Sequence, residues 1–220
     1  MLLLLVRHGL TPITGKRLTG WLPGYHLSHE GRGQADDVAR RLEELPVAAV
    51  YSSPLERCRE TAQPIARAHR LRVRTIRDLG EIDYGDWQGK TLKSLYRSKA
   101  WRELNARRGD FRFPGGETPR EAQTRAVGAV EELLARHKGE PVVAVSHADL
   151  IRLIVAGYLG LGIDFYNRMT IGPASVTALA LGGPSPRLLS LNHSGALDWL
   201  VKGLRDRPDG ALPRRARVSR

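Results

Sequence analysis

A chain of 220 residues with a formal net charge of +12, 41% hydrophobic residues and a single cysteine fits one α/β domain with a substantial core. The lone Cys58 excludes an intramolecular disulfide framework, and no Cys or His cluster has zinc-like spacing. No apolar run approaches the roughly 20 residues of a membrane span, so neither a transmembrane helix nor a secretory leader is expected, and the expected compartment is the cytoplasm.

The apolar run Leu2 to Val6 reads as a buried strand that delivers Arg7, His8 and Gly9 to the carboxyl edge of a sheet, where α/β proteins keep their chemistry. Taken alone, Arg-His-Gly is equally the place where a strand meets a loop. Ser28 caps a predicted helix through Glu44, with Ala35, Val38, Ala39, Leu42 and Leu45 on one face. Ala48 to Tyr51 is a second strand. Ser53-Pro54-Leu55-Glu56 then spells a capping box with proline at the first helical position, predicting a helix to about His69. Cys58, inside that helix, is read as a small core residue and not as a nucleophile. A weaker strand follows near Arg72 to Ile76. The segment 84–116 breaks the alternation: it is aromatic and basic, bounded by Gly85, Gly89 and Gly115-Gly116, and reads as an insertion over the site, with helix from about Leu92 to Arg107. Thr118-Pro119-Arg120-Glu121 repeats the capping device and predicts a helix to about His137. Strands are predicted at Val142 to Val145, Val176 to Leu181 and Leu188 to Leu191.

Strands alternating with helices imply a three-layer α/β sandwich with a mostly parallel central sheet. Two of the strands end in Ser52-Ser53 and Ser146-His147, and each is followed at once by a helix whose free backbone amides suit a phosphate. Residues 1–200 are expected to form the domain. From Val201 to Arg220, seven Lys or Arg face two Asp, and interleaved Pro208, Gly210 and Pro213 predict a flexible, solvated basic tail. The remaining excess charge suits a small anionic substrate as well as a polymer, and no nucleic-acid module accompanies it.

The run Leu-Val-Arg-His-Gly-Leu-Thr at Leu5 to Thr11 resembles the signature of the histidine phosphatase superfamily, which includes cofactor-dependent phosphoglycerate mutases and small-molecule phosphatases. Thr19-Gly20-Trp21 and Leu27-Ser28-x-x-Gly31-x-x-Gln34-Ala35 continue the match. So do Ser52-Ser53-Pro54-Leu55-x-Arg57-x-x-Glu60-Thr61-Ala62, Glu81 with Gly85-x-Trp87-x-Gly89, Pro114-Gly115-Gly116-Glu117, and Val145-Ser146-His147. These blocks keep the family's order and span residues 2 to about 181. The resemblance implies a phosphoglycerate mutase-like fold, a histidine phosphatase domain over residues 1–200, no metal and no cofactor.

The chemistry such residues can perform is phosphoryl transfer: a neutral imidazole attacks phosphorus, cations neutralise the oxygens and an acid protonates the leaving group. Arg7, Arg57 and His147 can supply charge and donors, the arginine forks suiting several phosphate oxygens. Spacing alone does not choose between His8 and His147 as nucleophile. The resemblance assigns that role to His8, through a phosphohistidine, and matches Glu81 to the proton donor. A carboxyl among arginines is expected to titrate low, so the acid function of Glu81 is expected to depend on bound substrate.

Thr14, where many relatives carry asparagine, and Thr19 with Gly20 are the further candidate substrate contacts. His26, His29, His69, His137 and His193 are read as surface or capping residues. Trp87 and Trp101 either wall the pocket or pack the insertion. Arg107-Arg108 either clamps a second phosphate or forms a solvated helix face. The expected substrate is a small phosphorylated metabolite hydrolysed at phosphorus, with a phosphoglycerate mutase as the alternative and an idle phosphate-binding module behind it. Resembling mutases carry a longer insertion than Ile82 to Glu117, which favours hydrolysis. Membrane and nucleic-acid partners are not expected; homo-oligomerisation stays open.

Overall fold

The computed structural model describes residues 1–205. Six strands form one sheet: β1 (Leu2–Arg7), β2 (Ala49–Ser52), β3 (Val73–Thr75), β4 (Val142–Ser146), β5 (Val176–Ala180) and β6 (Arg187–His193), in the order β3-β2-β4-β1-β5-β6. β3, β2, β4 and β1 run parallel, with Leu3 opposite Val142 and Arg7 opposite Ser146, while β5 runs antiparallel to both β1 and β6. The expected three-layer sandwich with a mostly parallel sheet is therefore the observed architecture.

Alternation along the central strands divides the core. Leu3, Leu5, Tyr51 and Ala144 face one side, where α5 (Pro119–Arg136) and α6 (Ala148–Leu159) cover them. Leu2, Leu4, Val6, Val50, Val143 and Val145 face the other, against α1 (His29–Leu42), α2 (Glu56–Ala68) and α7 (Asp198–Arg205). A parallel strand is buried on both faces, and for that reason Leu2 to Val6 is uniformly apolar. Each buried leucine contributes about 1.5–3 kcal/mol.

Two expectations about helix starts meet different fates. Thr118 and Glu121 form the predicted capping box on α5. Ser53 is not the N-cap of α2: Leu55 occupies that position without a side-chain bond, while the Ser53 hydroxyl accepts from the Leu55 amide at 3.3 Å and meets His147 at 2.8 Å. The helix expected within the insertion is present as two pieces, α3 (Leu92–Tyr96) and α4 (Lys99–Ala106), since Ser98 accepts from the Trp101 amide and starts a new helix. Trp87 stacks on Trp101 and packs against Phe111 and Phe113, so these tryptophans build the insertion's own core and do not wall a pocket. The expected domain boundary at residue 200 falls inside α7, where Leu200 and Val201 are buried along with Leu197 just before the helix. The rest of the expected basic tail, residues 206–220, lies outside the described residues.

Among these elements, α1 starts directly under the β1 loop. Ser28 donates from its amide to the Leu10 carbonyl, and Gln34 accepts from the Leu10 amide. The two backbones approach so closely that a Cβ on Gly31 would lie 2.0 Å from the Leu10 oxygen, and one on Gly9 would lie 2.5 Å from the Gly31 oxygen. In an exposed helix, Gly→Ala would be worth up to about 1 kcal/mol in favour of alanine. Here the backbone clash dominates, and Gly31→Ala is expected to cost about 2 kcal/mol or more, read as a lower midpoint in urea at unchanged slope.

Candidate active site

The parallel register brings the carboxyl ends of β1, β2 and β4 together, so Arg7, His8, Ser53 and His147 converge although up to 140 residues separate them in sequence. The loops stay bound to the sheet where they leave it: the His8 amide donates to the Ser146 carbonyl and the Ser53 amide to the Val145 carbonyl. In front of them opens a cavity of about 220 Å³, lined by Arg7, His8, Arg57, Glu81, Asp149 and Arg152, among others. Thr11, Thr14, Thr19 and Gly20 line its loop side, and Tyr84 and Leu92 are the insertion's contribution.

His8 is buried, and its Nδ1 lies 2.8 Å from the Gly9 carbonyl oxygen. A carbonyl only accepts, so Nδ1 carries the proton and Nε2 keeps its lone pair. Burial first, then Arg57 and Arg7, hold the His8 pKa well below the ordinary value, keeping the ring neutral. The Gly9 amide donates to Thr61 Oγ1, which in turn donates to the Arg57 carbonyl, so α2 fixes the His8 loop and Arg57 together.

Arg57 is 1% exposed. Its Nη2 donates to the Gly20 carbonyl at 2.8 Å and to His147 Nδ1 at 3.2 Å, while Nε and Nη1 have no protein partner. Arg7 donates from Nη1 to the Ile171 carbonyl at 2.6 Å and likewise keeps an unpartnered Nε. Buried guanidinium donors without acceptors are costly unless an anion completes them. The site is thus built for a multiply charged oxyanion.

His147 differs from its expected place. It is fully buried and does not line the cavity; it packs edge-on against His8 with ring centroids 5.3 Å apart. Because guanidinium can only donate, Nδ1 is the acceptor, and Nε2–H donates to Ser53 Oγ at 2.8 Å. Burial, followed by Arg57 and His8, pushes its pKa well down, so it adds no positive charge. Cys58 Sγ lies 3.3 Å from His147 Nε2, and burial raises that thiol to about 12, in keeping with a packing role.

Glu81 reverses the expectation of a low-titrating carboxyl. Burial, reinforced by Asp149, raises it to about 7 against the opposing pull of Arg57 and Arg7. Near the same loop, the Arg77 guanidinium stacks on Trp21. Thr14 Oγ1 accepts from the Thr11 amide, bracing the loop. Arg107 and Arg108 do not line the cavity; Arg108 lies over the Tyr166 ring, so no second-phosphate clamp forms there. His26 meets the Glu60 carboxylate, and His137 bonds the Tyr51 hydroxyl beneath the sheet, away from the cavity.

Sequence reasoning missed the far wall. Tyr84 donates to Asp149 Oδ2 at 2.7 Å and Arg152 pairs with Asp149 Oδ1 at 2.6 Å, placing a charged group at the start of α6 beside Glu81. Its one signal was an acidic residue two positions after His147, in the first turn of a helix.

Compared with known proteins, the chain matches the histidine phosphatase superfamily (branch 1) over residues 3–194. Phosphoglycerate mutase-like protein 4 of Arabidopsis thaliana is 38% identical over 155 residues, 68% of this chain and 67% of that protein. Phosphoserine phosphatase 1 of Hydrogenobacter thermophilus is 30% identical over 171 residues, 76% of this chain and 80% of its own. In structure, a mycobacterial glucosyl-3-phosphoglycerate phosphatase solved with VO3 superimposes with a TM-score of 0.79 at 31% identity, covering 88% of this chain and 99% of that one.

The raised titration of Glu81 has a sign that stability can read. A folded-state pKa above the unfolded one means that the folded protein is favoured below the unfolded value and loses that advantage as pH rises through about 7. Glu81→Gln is neutral throughout, so it is expected to raise Tm at pH 8, by about 2 kcal/mol equivalent or a few degrees, and to leave Tm unchanged near pH 4. Calorimetry across that range checks it.

Proposed function

The chain belongs to branch 1 of the histidine phosphatase superfamily and is a phosphoric monoester hydrolase of that type, and we propose that it hydrolyses a small, polar phosphomonoester through a phosphohistidine on His8, without a metal ion. The observation that carries this reading is the neutral His8 facing a cavity whose buried arginine donors, Arg57 Nε and Nη1 and Arg7 Nε, lack acceptors.

In the first half-reaction the His8 Nε2 lone pair attacks phosphorus, the bond from phosphorus to the ester oxygen breaks, and the Glu81 proton goes to the departing alcohol. Arg7 and Arg57 hold the phosphoryl oxygens, with Thr19 and Gly20 shaping the loop side. In the second, Glu81 as carboxylate takes a proton from water, the water oxygen attacks phosphorus and the nitrogen–phosphorus bond breaks, regenerating neutral His8 and protonated Glu81. His147 holds Arg57 and the His8 ring in register. Thr14 supports the reading as a brace of the phosphate loop. Relatives are named for phosphoserine and for glucosyl-3-phosphoglycerate, both phosphate esters of polar carboxylic acids, and the small polar cavity supports a polar leaving group.

His8→Ala is expected to keep the fold and Tm while abolishing turnover, and quenching the wild-type enzyme with labelled ester is expected to leave acid-labile phosphate on His8. Label on His147 would overturn the assignment. Incubation with 3-phosphoglycerate and 2,3-bisphosphoglycerate is expected to yield free phosphate and little 2-phosphoglycerate; rapid isomerisation without phosphate release would make the protein a mutase.

The same groups set the pH and metal dependence. Since Glu81 must be protonated to act as acid and His8 stays neutral well below pH 6.5, kcat/KM for an alkyl phosphate is expected to fall tenfold per unit as pH rises beyond about 7. Exhaustive chelation is expected to leave kcat within about twofold, because the arginines carry the electrostatic work.

A further inference from the structure

Behind the Glu81 loop, on the side away from the catalytic cavity, lies a second depression of about 420 Å³ lined by Trp21, Arg77, Asp83, Glu117 and Arg125. Arg125, from α5, reaches into it and fans its guanidinium across one stretch of backbone. Nη1 donates to the Asp78 carbonyl at 2.8 Å and the Gly80 carbonyl at 2.9 Å, and Nη2 donates to the Glu81 carbonyl at 2.8 Å. The other edge of the fork is bidentate to Glu117, through Nε at 3.0 Å and Nη2 at 2.6 Å. Glu117 grips the loop further along, accepting from the Asp83 amide at 2.9 Å and donating its own amide to the Asp83 carbonyl at 3.0 Å. Trp21 Nε1 adds a 2.6 Å bond to the Glu81 carbonyl.

Such a concentration of donors on a short, irregular segment does more than satisfy backbone groups. Residues 80–84 belong to no helix or strand, so no ladder of their own fixes where Glu81 points. Resting on the reading of Glu81 as proton donor, we infer that Arg125, locked by Glu117, is a positioning residue that holds the Glu81 carboxyl at the leaving oxygen. Arg125 does not line the catalytic cavity, so it acts through Glu81 and not on substrate. Both side chains of the pair are mostly buried, at 19% and 18% exposure, where a charged fork of fixed geometry is held most firmly. A lysine in this place presents one ammonium and cannot span three carbonyls and a carboxylate.

The test exploits the leaving group. An alkyl ester such as β-glycerophosphate needs its oxygen protonated as it departs, whereas p-nitrophenolate leaves unaided. Arg125→Gln is expected to lower kcat/KM for β-glycerophosphate by about 10- to 100-fold and for p-nitrophenyl phosphate by less than about threefold, with Arg125→Lys showing the same bias in weaker form. Glu117→Gln, which keeps the shape of its side chain but weakens the lock, is expected to follow in the same direction. In a Glu81→Gln background, Arg125→Gln is expected to add nothing further. Equal losses on both esters, no loss on either, or additive losses in the double variant would each overturn the inference. Glu81→Gln alone separates the two levels: if it shows no leaving-group bias, the proton-donor reading fails; if it does and neither Arg125 variant nor Glu117→Gln follows, only the positioning role fails.

Discussion

The buried guanidinium of Arg57 is the constraint around which the carboxyl edge of the sheet is organised. It sits at 1% exposure with Nε and Nη1 unmatched, bonded to His147 and opposing protonation of both His147 and His8. Two unit charges at about 4 Å interact by about 4 kcal/mol in surroundings of intermediate polarity. Repulsion of this order adds to burial, the larger cause, in keeping both His8 and His147 unprotonated. The neutral state of His8 therefore has burial as its first cause and the neighbouring cations as its second. The Arg57 cation, with its unmatched donors, favours a ligand with several acceptor oxygens.

Glu81 shows two effects in competition. The arginines draw its titration down, burial and Asp149 drive it up, and burial wins. Reading charges from the sequence gives the sign of the first effect and nothing about the second, because desolvation depends on what covers the group. Asp149 is itself held by Tyr84 and Arg152, so a wall built from the insertion and α6 reaches Glu81 electrostatically while the Arg125–Glu117 pair grips its backbone from behind.

The insertion divides its labour. Its aromatic residues, Trp87, Trp101, Phe111 and Phe113, pack mainly on each other and on the sheet's helical cover, whereas Tyr84 and Leu92 alone among its residues reach the cavity wall. Backbone bonds join it to the β1 loop, with the Leu18 amide on the Lys90 carbonyl and the Leu92 amide on the Lys16 carbonyl. The cavity is consequently closed on one side by a short, rigid cover, and the space left for a leaving group is small and polar.

The sequence by itself determined the layers and the meeting of the chemistry-bearing residues. Uniform apolar runs marked the doubly covered strands, amphipathic spacing marked α1, capping sequences marked α2 and α5, and the ordered blocks around Arg7-His8, Arg57, Glu81 and His147 named the residues that the parallel register gathers. What only the tertiary structure decided concerns groups whose state depends on neighbours far away in the chain. Ser53 reads as a helix cap but bonds His147, a partner 94 positions on. His147 reads as a phosphate donor but stands behind Arg57, its nitrogens already engaged. Asp149, Arg125 and Val201 carry no local pattern that separates them from ordinary helix residues. Periodicity and capping are short-range properties that a linear string preserves, whereas burial, hydrogen-bond partners and charge separation are set by the packing of distant segments.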